Sequence, residues 1–138
     1  PGMKKGTQSD ALLSQIDLFR SLARLCNTNI PAGAAPDSKD MLLAFMGKDK
    51  KGRNWLVEQN AQSTLSILGA DGFKYIEPSL KQAIHKNTLI ELGNHPSPQL
   101  YDLKKDIGEQ KNLIDSLPAK GNALSALLNK IKAGPIQE

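Results

Sequence analysis

One cysteine, one tryptophan, two tyrosines and three phenylalanines are all that the 138 residues contain of those types, and aromatic side chains make up only 4% of the chain. With so few rings, aliphatic side chains must do most of the packing. The lone Cys26 closes no internal disulfide and has no partner cysteines for a zinc site, so it does not report a redox compartment. His85 and His95 are ten apart with no matching Glu spacing, which argues against a zinc centre. No apolar run approaches the roughly 20 residues that cross a bilayer, and the first residues lack a signal-peptide apolar region. The chain therefore reads as soluble, with no membrane span, and as compatible with being a piece of something longer. A glycine-rich phosphate cradle is also missing, since GKDKKGR has neither a preceding strand nor the required Ser or Thr.

What is present describes an ordinary folded chain. Its 138 residues, 39% of them hydrophobic, suit one core that buries roughly two thirds of the unfolded surface. The 18 basic and 14 acidic residues leave a net charge of +4 on a mixed surface. That is weak support for an anionic partner.

The opening PGMKKGTQSD, rich in glycine and lysine, reads as a loop or an edge strand. Apolar positions then recur at Leu12, Ile16, Phe19, Leu22, Ala23 and Cys26, spaced by three or four, and predict a helix over about 15–26 that starts at a capping-box-like Ser14 and Asp17. Residues 30–40 form a linker. A short helix through Met46 follows, capped by Ser38 or Asp37 and ended by Gly47. The run Lys48 to Arg53 reads as a solvated basic loop. Nucleic-acid binding would need more such clusters interleaved with aromatics, so no nucleic-acid partner is expected.

Alternation at Trp55–Gln59, Thr64–Gly69 and Phe73–Ile76 predicts an antiparallel meander, with Ala70, Asp71 and Gly72 joining the last two strands as a hairpin. Residues 77–98 show no clean period beyond one helical turn at Leu80, Ala83 and Ile84. A loop this long in a compact domain is usually functional or mobile. Leu124, Leu127, Leu128 and Ile131 mark a final helix that lies on the meander, ended by Gly134 and Pro135. The fold class expected is α+β: a small antiparallel sheet of about four strands packed with a C-terminal helix and preceded by another helix.

Between the loop and the last helix lies QLYDLKKDIGEQKNL, residues 99–113. Leu100 to Leu103 alternate as an edge strand, and Asp106, Gly108 and Glu109 fit a turn in which Asp bonds to backbone two residues on and Gly takes a positive φ. The ordered set Leu100, Tyr101, Asp102, Leu103, Asp106, Gly108, Glu109, Asn112 and Leu113 resembles the LYDL..DPGE..NL segment near the C-terminus of arylsulfatase-type sulfatases of the alkaline-phosphatase superfamily. Ile107 stands where that family usually has Pro. GFKYIEPS and GRNWLVEQ are similar to two further strands of the family, and the segment around Asp17 more loosely to the tail of its catalytic domain.

The resemblance implies that residues 1–36 are a tail of the catalytic domain and 37–138 the C-terminal subdomain. It implies an intact enzyme, periplasmic or secreted, that hydrolyses aryl or carbohydrate sulfate esters with calcium and a formylglycine. Neither group is expected on this chain, because C/S-x-P/A-x-R is missing: Cys26 is followed by Asn27, Thr28, Asn29 and Ile30, and Ser21 has its Arg24 one residue too early. Catalytic and metal-ligating residues are therefore expected to be none. Asp102, Asp106, Glu109 and Asp115 lack EF-hand spacing and are interleaved with Lys104, Lys105 and Lys111, which favours salt bridges. His95, with Asn94, is the candidate for substrate contact, from its place just before the QLYDL strand. The expected partners are the chain's own N-terminal catalytic domain, a sulfated small molecule or glycan, and a second copy through the exposed helix 15–26. The competing reading is a stand-alone module for a polyanion such as a sulfated glycan or nucleic acid.

Overall fold

The computed structural model describes residues 2, 6 and 8–134. The expectations for the rest of the opening segment, and Pro135 as a helix stop, lie outside the described residues. The chain divides into two compact units, Pro1–Leu56 and Val57–Glu138.

In the first unit a 3-10 turn, Gln15–Asp17, runs into helix α1, Leu18–Leu25, close to the predicted span. The predicted capping box of Ser14 and Asp17 is present, with the Asp17 carboxylate accepting a hydrogen bond from the Ser14 amide at 3.2 Å. Helix α1 turns its polar side inward. Asp17 and Ser21 are buried, whereas Ile16, Phe19, Leu22 and Leu25 are half exposed. What the polar side meets is backbone: Lys39 N donates to Asp17 Oδ1 at 2.9 Å, Met41 N to Ser21 Oγ at 2.9 Å, and Arg20 reaches the Ala34 and Ala35 carbonyls.

Helix α2 spans only Leu42–Phe45. Neither Ser38 nor Asp37 caps it. Ser38 Oγ accepts from Arg20 N at 3.2 Å, and Asp40 Oδ1 takes the Leu42 amide at 3.1 Å. Gly47, at φ 71°, ends the helix as expected. The basic run after it is a solvated loop at Lys48, Lys50 and Lys51, but Arg53 is buried.

A four-stranded antiparallel sheet has the order β1-β2-β3-β4, with β1 Trp55–Gln59, β2 Leu65–Gly69, β3 Phe73–Ile76 and β4 Gln99–Asp102, all but the first two residues of β1 belonging to the second unit. Gly72, at φ 91°, accepts what few other residues tolerate, and its amide donates to Gly69 O at 2.9 Å. This is a three-residue hairpin loop that closes with a left-handed residue. Register pairs Ile67 with Tyr75 and Tyr75 with Leu100, so these three side chains form one row across the sheet. Helix α3, Pro118–Ala133, packs on β2 and β3 and adds Leu124 and Leu128 to that row. The α+β architecture and the helix closing the core agree with the sequence reading. Pro at the first turn starts α3, where its missing N–H costs no helical bond.

Residues 77–98 contain no helical turn at Leu80 to Ile84. Leu92 N donates to Ala83 O and His85 N to Ile90 O, so the middle of the loop is a short two-stranded finger bridged at Ile84 and Glu91. Leu80 is 91% and Leu89 77% exposed, so no apolar face exists there to hold a helix in place.

Candidate functional site

Because side chains alternate along a strand, the row Ile67–Tyr75–Leu100 leaves two other rows on the opposite face: Ser66, Ile76 and Gln99, and Leu68, Lys74 and Tyr101. All of these residues but Leu68 floor a groove of about 590 Å³, walled by the 58–60 and 91–93 segments at one side and by residues 107–109 at the other. Lys74 stands at its centre, 2.7 Å from Glu109 Oε1 and 3.9 Å from Glu58 Oε2. The Tyr101 hydroxyl donates to Gln99 Oε1 at 2.8 Å, and Gln99 Nε2 donates to Gly93 O at 2.7 Å. Burial raises the Tyr101 phenol above its ordinary value, and the carboxylates of Glu109, Glu91 and Asp106 push it the same way.

Asn94 and His95, adjacent in sequence, occupy different environments. Asn94 is buried: its Oδ1 accepts from Asn60 at 2.9 Å, and its Nδ2 donates to Gln62 Oε1 at 2.9 Å and to Gln82 O at 2.8 Å. Its amide is committed to tying the base of the 82–94 loop to the turn before β2. His95 is exposed, with Nδ1 within hydrogen-bond distance of the Ser97 amide at 3.1 Å. Its carbonyl accepts from Ser79 N at 2.8 Å, which fixes the backbone on both sides of the loop.

The 99–113 segment has a specific structural job. Leu100 N donates to Asn112 Oδ1 at 2.9 Å and Leu113 N to Leu100 O at 2.7 Å, so Asn112 and Leu113 cover the outer edge of β4 that would otherwise present unpaired backbone. The turn differs from expectation. Glu109, at φ 53°, takes the left-handed conformation that Gly108 was expected to take. Its carboxylate is then held by Lys74. The side chain that bonds two residues on is Asp102, to Lys104 N at 3.2 Å, whereas Asp106 reaches Lys111 N at 2.8 Å.

A calcium or formylglycine site does not fit what these residues offer. Among the described residues no three His, Cys, Asp or Glu side chains gather as metal donors. Asp102 lies 3.2 Å from Lys105, and Glu109 faces Lys74. Cys26 is exposed at the end of α1. No helix among the described residues is long and apolar enough to cross a membrane.

Two features escaped the sequence reading. One is the buried Asp17–Arg53 pair, hidden because Arg53 closes a basic run that otherwise faces solvent. The other is the groove, whose floor residues become neighbours only once strand register is known; period-two alternation at Lys74 and Tyr101 was the available signal.

No family model matches the sequence. The chain is 44% identical over 132 residues to N-acetylgalactosamine-6-O-sulfatase from Bacteroides thetaiotaomicron, a match that covers 96% of the chain. It spans about a quarter, 26%, of the length of that curated relative. A solved structure described with the metabolism of multiple glycosaminoglycans by Bacteroides thetaiotaomicron superposes with a TM-score of 0.83 at 45% identity, covering 90% of this chain and 26% of the other. A 2-O GAG sulfatase superposes with a TM-score of 0.61 at 26% identity, covering 95% and 27%. The resemblance carried by residues 99–113 is borne out, and the match is to the C-terminal portion of these proteins.

Proposed function

We propose that this chain, a homologue of the C-terminal portion of sulfatases, supports the catalytic part of an intact sulfuric ester hydrolase and shapes its substrate pocket. The observation that carries this reading is the 44% identity over 132 residues with N-acetylgalactosamine-6-O-sulfatase. The intact enzyme hydrolyses aryl or carbohydrate sulfate esters, and 6-O-sulfated N-acetylgalactosamine is the first substrate to try. Calcium and formylglycine belong to the catalytic portion, and the enzyme is periplasmic or secreted. This segment is inert alone, because it carries no nucleophile in the C/S-x-P/A-x-R setting that the chemistry requires.

Residues 1–36 are the tail of the catalytic domain and 37–138 the C-terminal subdomain. The compact unit runs on to Leu56 because Arg53 reaches back to Asp17. The exposed apolar side of α1, at Ile16, Phe19, Leu22 and Leu25, is the surface that meets the catalytic domain.

His95 contacts the organic part of the substrate, and Asn94 acts as a positioning residue: its buried amide holds the loop that presents His95. Replacing His95 by Ala in the intact enzyme should lower kcat/KM for its sulfated substrate by about tenfold, the cost of one lost hydrogen bond to bound substrate. An unchanged kcat/KM for every sulfated substrate tried would remove His95 from the site.

A further inference from the structure

We infer that the open face of the sheet is a saccharide-binding groove that accepts an uncharged sugar and disfavours a sulfated one. The inference concerns binding by this chain alone and does not rest on the sulfatase reading.

The charge balance of the groove sets its preference. Three carboxylates line it, from Glu58, Glu91 and Glu109, against the single ammonium of Lys74. Lys74 is already held by Glu109 at 2.7 Å, with Glu58 at 3.9 Å. No cation among the described lining residues is left to receive a sulfate. Burial is the main cause of the raised Tyr101 phenol, and the carboxylates of Glu109 and Glu91 push it the same way. An anionic ligand would meet repulsion here, and a bare metal ion would meet the central ammonium.

What the groove offers instead suits hydroxyl groups. The carboxylates of Glu58 and Glu91 are exposed acceptors, and an ionised carboxylate can take two adjacent hydroxyls at once. Ser66 supplies a hydroxyl on the floor, and Gln59 an amide on the wall. Ile76 below and Ile107 on the rim provide apolar contact for the C–H face of a pyranose ring. Ile107 is 84% exposed, so internal packing does not account for its place there. A volume of about 590 Å³ falls within the roughly 300–1,000 Å³ range of small-molecule sites.

The test is a titration of the isotopically labelled chain with N-acetyllactosamine and with its 6-O-sulfated form, followed by backbone amide shifts. The neutral disaccharide should give saturable shifts centred on Ser66, Lys74, Gln99 and Tyr101. The sulfated form should bind about fivefold more weakly at low salt, the size of one like-charge contact near a protein surface. Glu58→Lys, and separately Glu91→Lys, should close that gap; both positions are exposed, so the fold should survive either change. The inference is overturned by absence of saturable shifts, by shifts centred elsewhere, by tighter binding of the sulfated form, or by a preference that neither charge reversal alters. Failure here would leave the His95 experiment untouched, and the reverse also holds.

Discussion

Arg53 grips Asp17 with two parallel hydrogen bonds. Nε donates to Oδ2 at 2.7 Å and Nη2 to Oδ1, with Arg53 4% and Asp17 0% exposed. Nη2 also reaches the Asp37 carbonyl at 2.6 Å, and Arg53 N donates to Leu12 O at 2.8 Å. Arg53 therefore connects three segments: its main-chain amide holds Leu12, and its guanidinium joins the start of α1 to the linker before α2. Such a fork is geometry that a lysine cannot reproduce.

Removing one member of a buried pair strands the other. Arg53→Ala should destabilise the first unit by about 3–5 kcal/mol, whereas the double change Asp17→Leu, Arg53→Met should cost less than the single one. Chemical denaturation of the three chains checks this. Equal loss in both variants would mean that the pair is not the centre of that unit.

Acid should act through the same pair. Burial works to raise the Asp17 pKa, but the Arg53 hydrogen bond, the Lys39 amide and the Arg53 charge together hold it below its ordinary 3.8. A lowered carboxylate contributes stability that is complete above its unfolded pKa and is lost as pH falls through the folded one. Glu77, held by Lys132, and Asp71, held by Lys120, shift in the same direction. Thermal stability should stay flat from about pH 7 to 5 and fall below about pH 4. Asp17→Asn should be less stable at neutral pH and lose less on acidification; an unchanged acid slope would contradict the assignment.

Asn94→Ala removes three internal hydrogen bonds from the foot of the 82–94 loop. The expected effect is local: a loss of about 1–3 kcal/mol in protection against amide exchange for residues 83–92, with the sheet core little changed. Uniform loss throughout β2 to β4 would show instead that Asn94 belongs to the core.

The apolar side of α1 predicts self-association of the isolated chain. Phe19 is 52% and Leu22 51% exposed, in a stripe that also includes Ile16 and Leu25. Sedimentation should show a concentration-dependent dimer that Phe19→Lys with Leu22→Lys converts to monomer. A wild-type chain that stays monomeric throughout would count against this surface as a contact.

Much of the fold was legible because its signals were local. The helix at 15–26, the Gly72 turn and the apolar stripe of α3 each follow from spacing or from backbone freedom at one residue. The inward polar side of α1 was not legible, since periodicity finds an amphipathic helix without saying which side is covered. Here Asp17 and Ser21 satisfy backbone amides of a linker that has no pattern of its own. The turn at 106–109 misled for a related reason. Gly108 was the cheaper residue for a positive φ, but the contact between Glu109 and Lys74 accompanies that conformation one position later. His95 could be singled out only by position, and the buried network of Asn94 needed partners 32 and 34 residues away in sequence.

The claim that this chain is a supporting part separate from the catalytic centre is tested most directly by inorganic sulfate release. The measurement compares the 138-residue chain alone with a longer protein that includes it, on 6-O-sulfated N-acetylgalactosamine and on an aryl sulfate. The longer protein should release sulfate, lose that activity when residues 57–138 are deleted, and the chain alone should match the blank. Catalytic turnover by the chain alone would contradict the account.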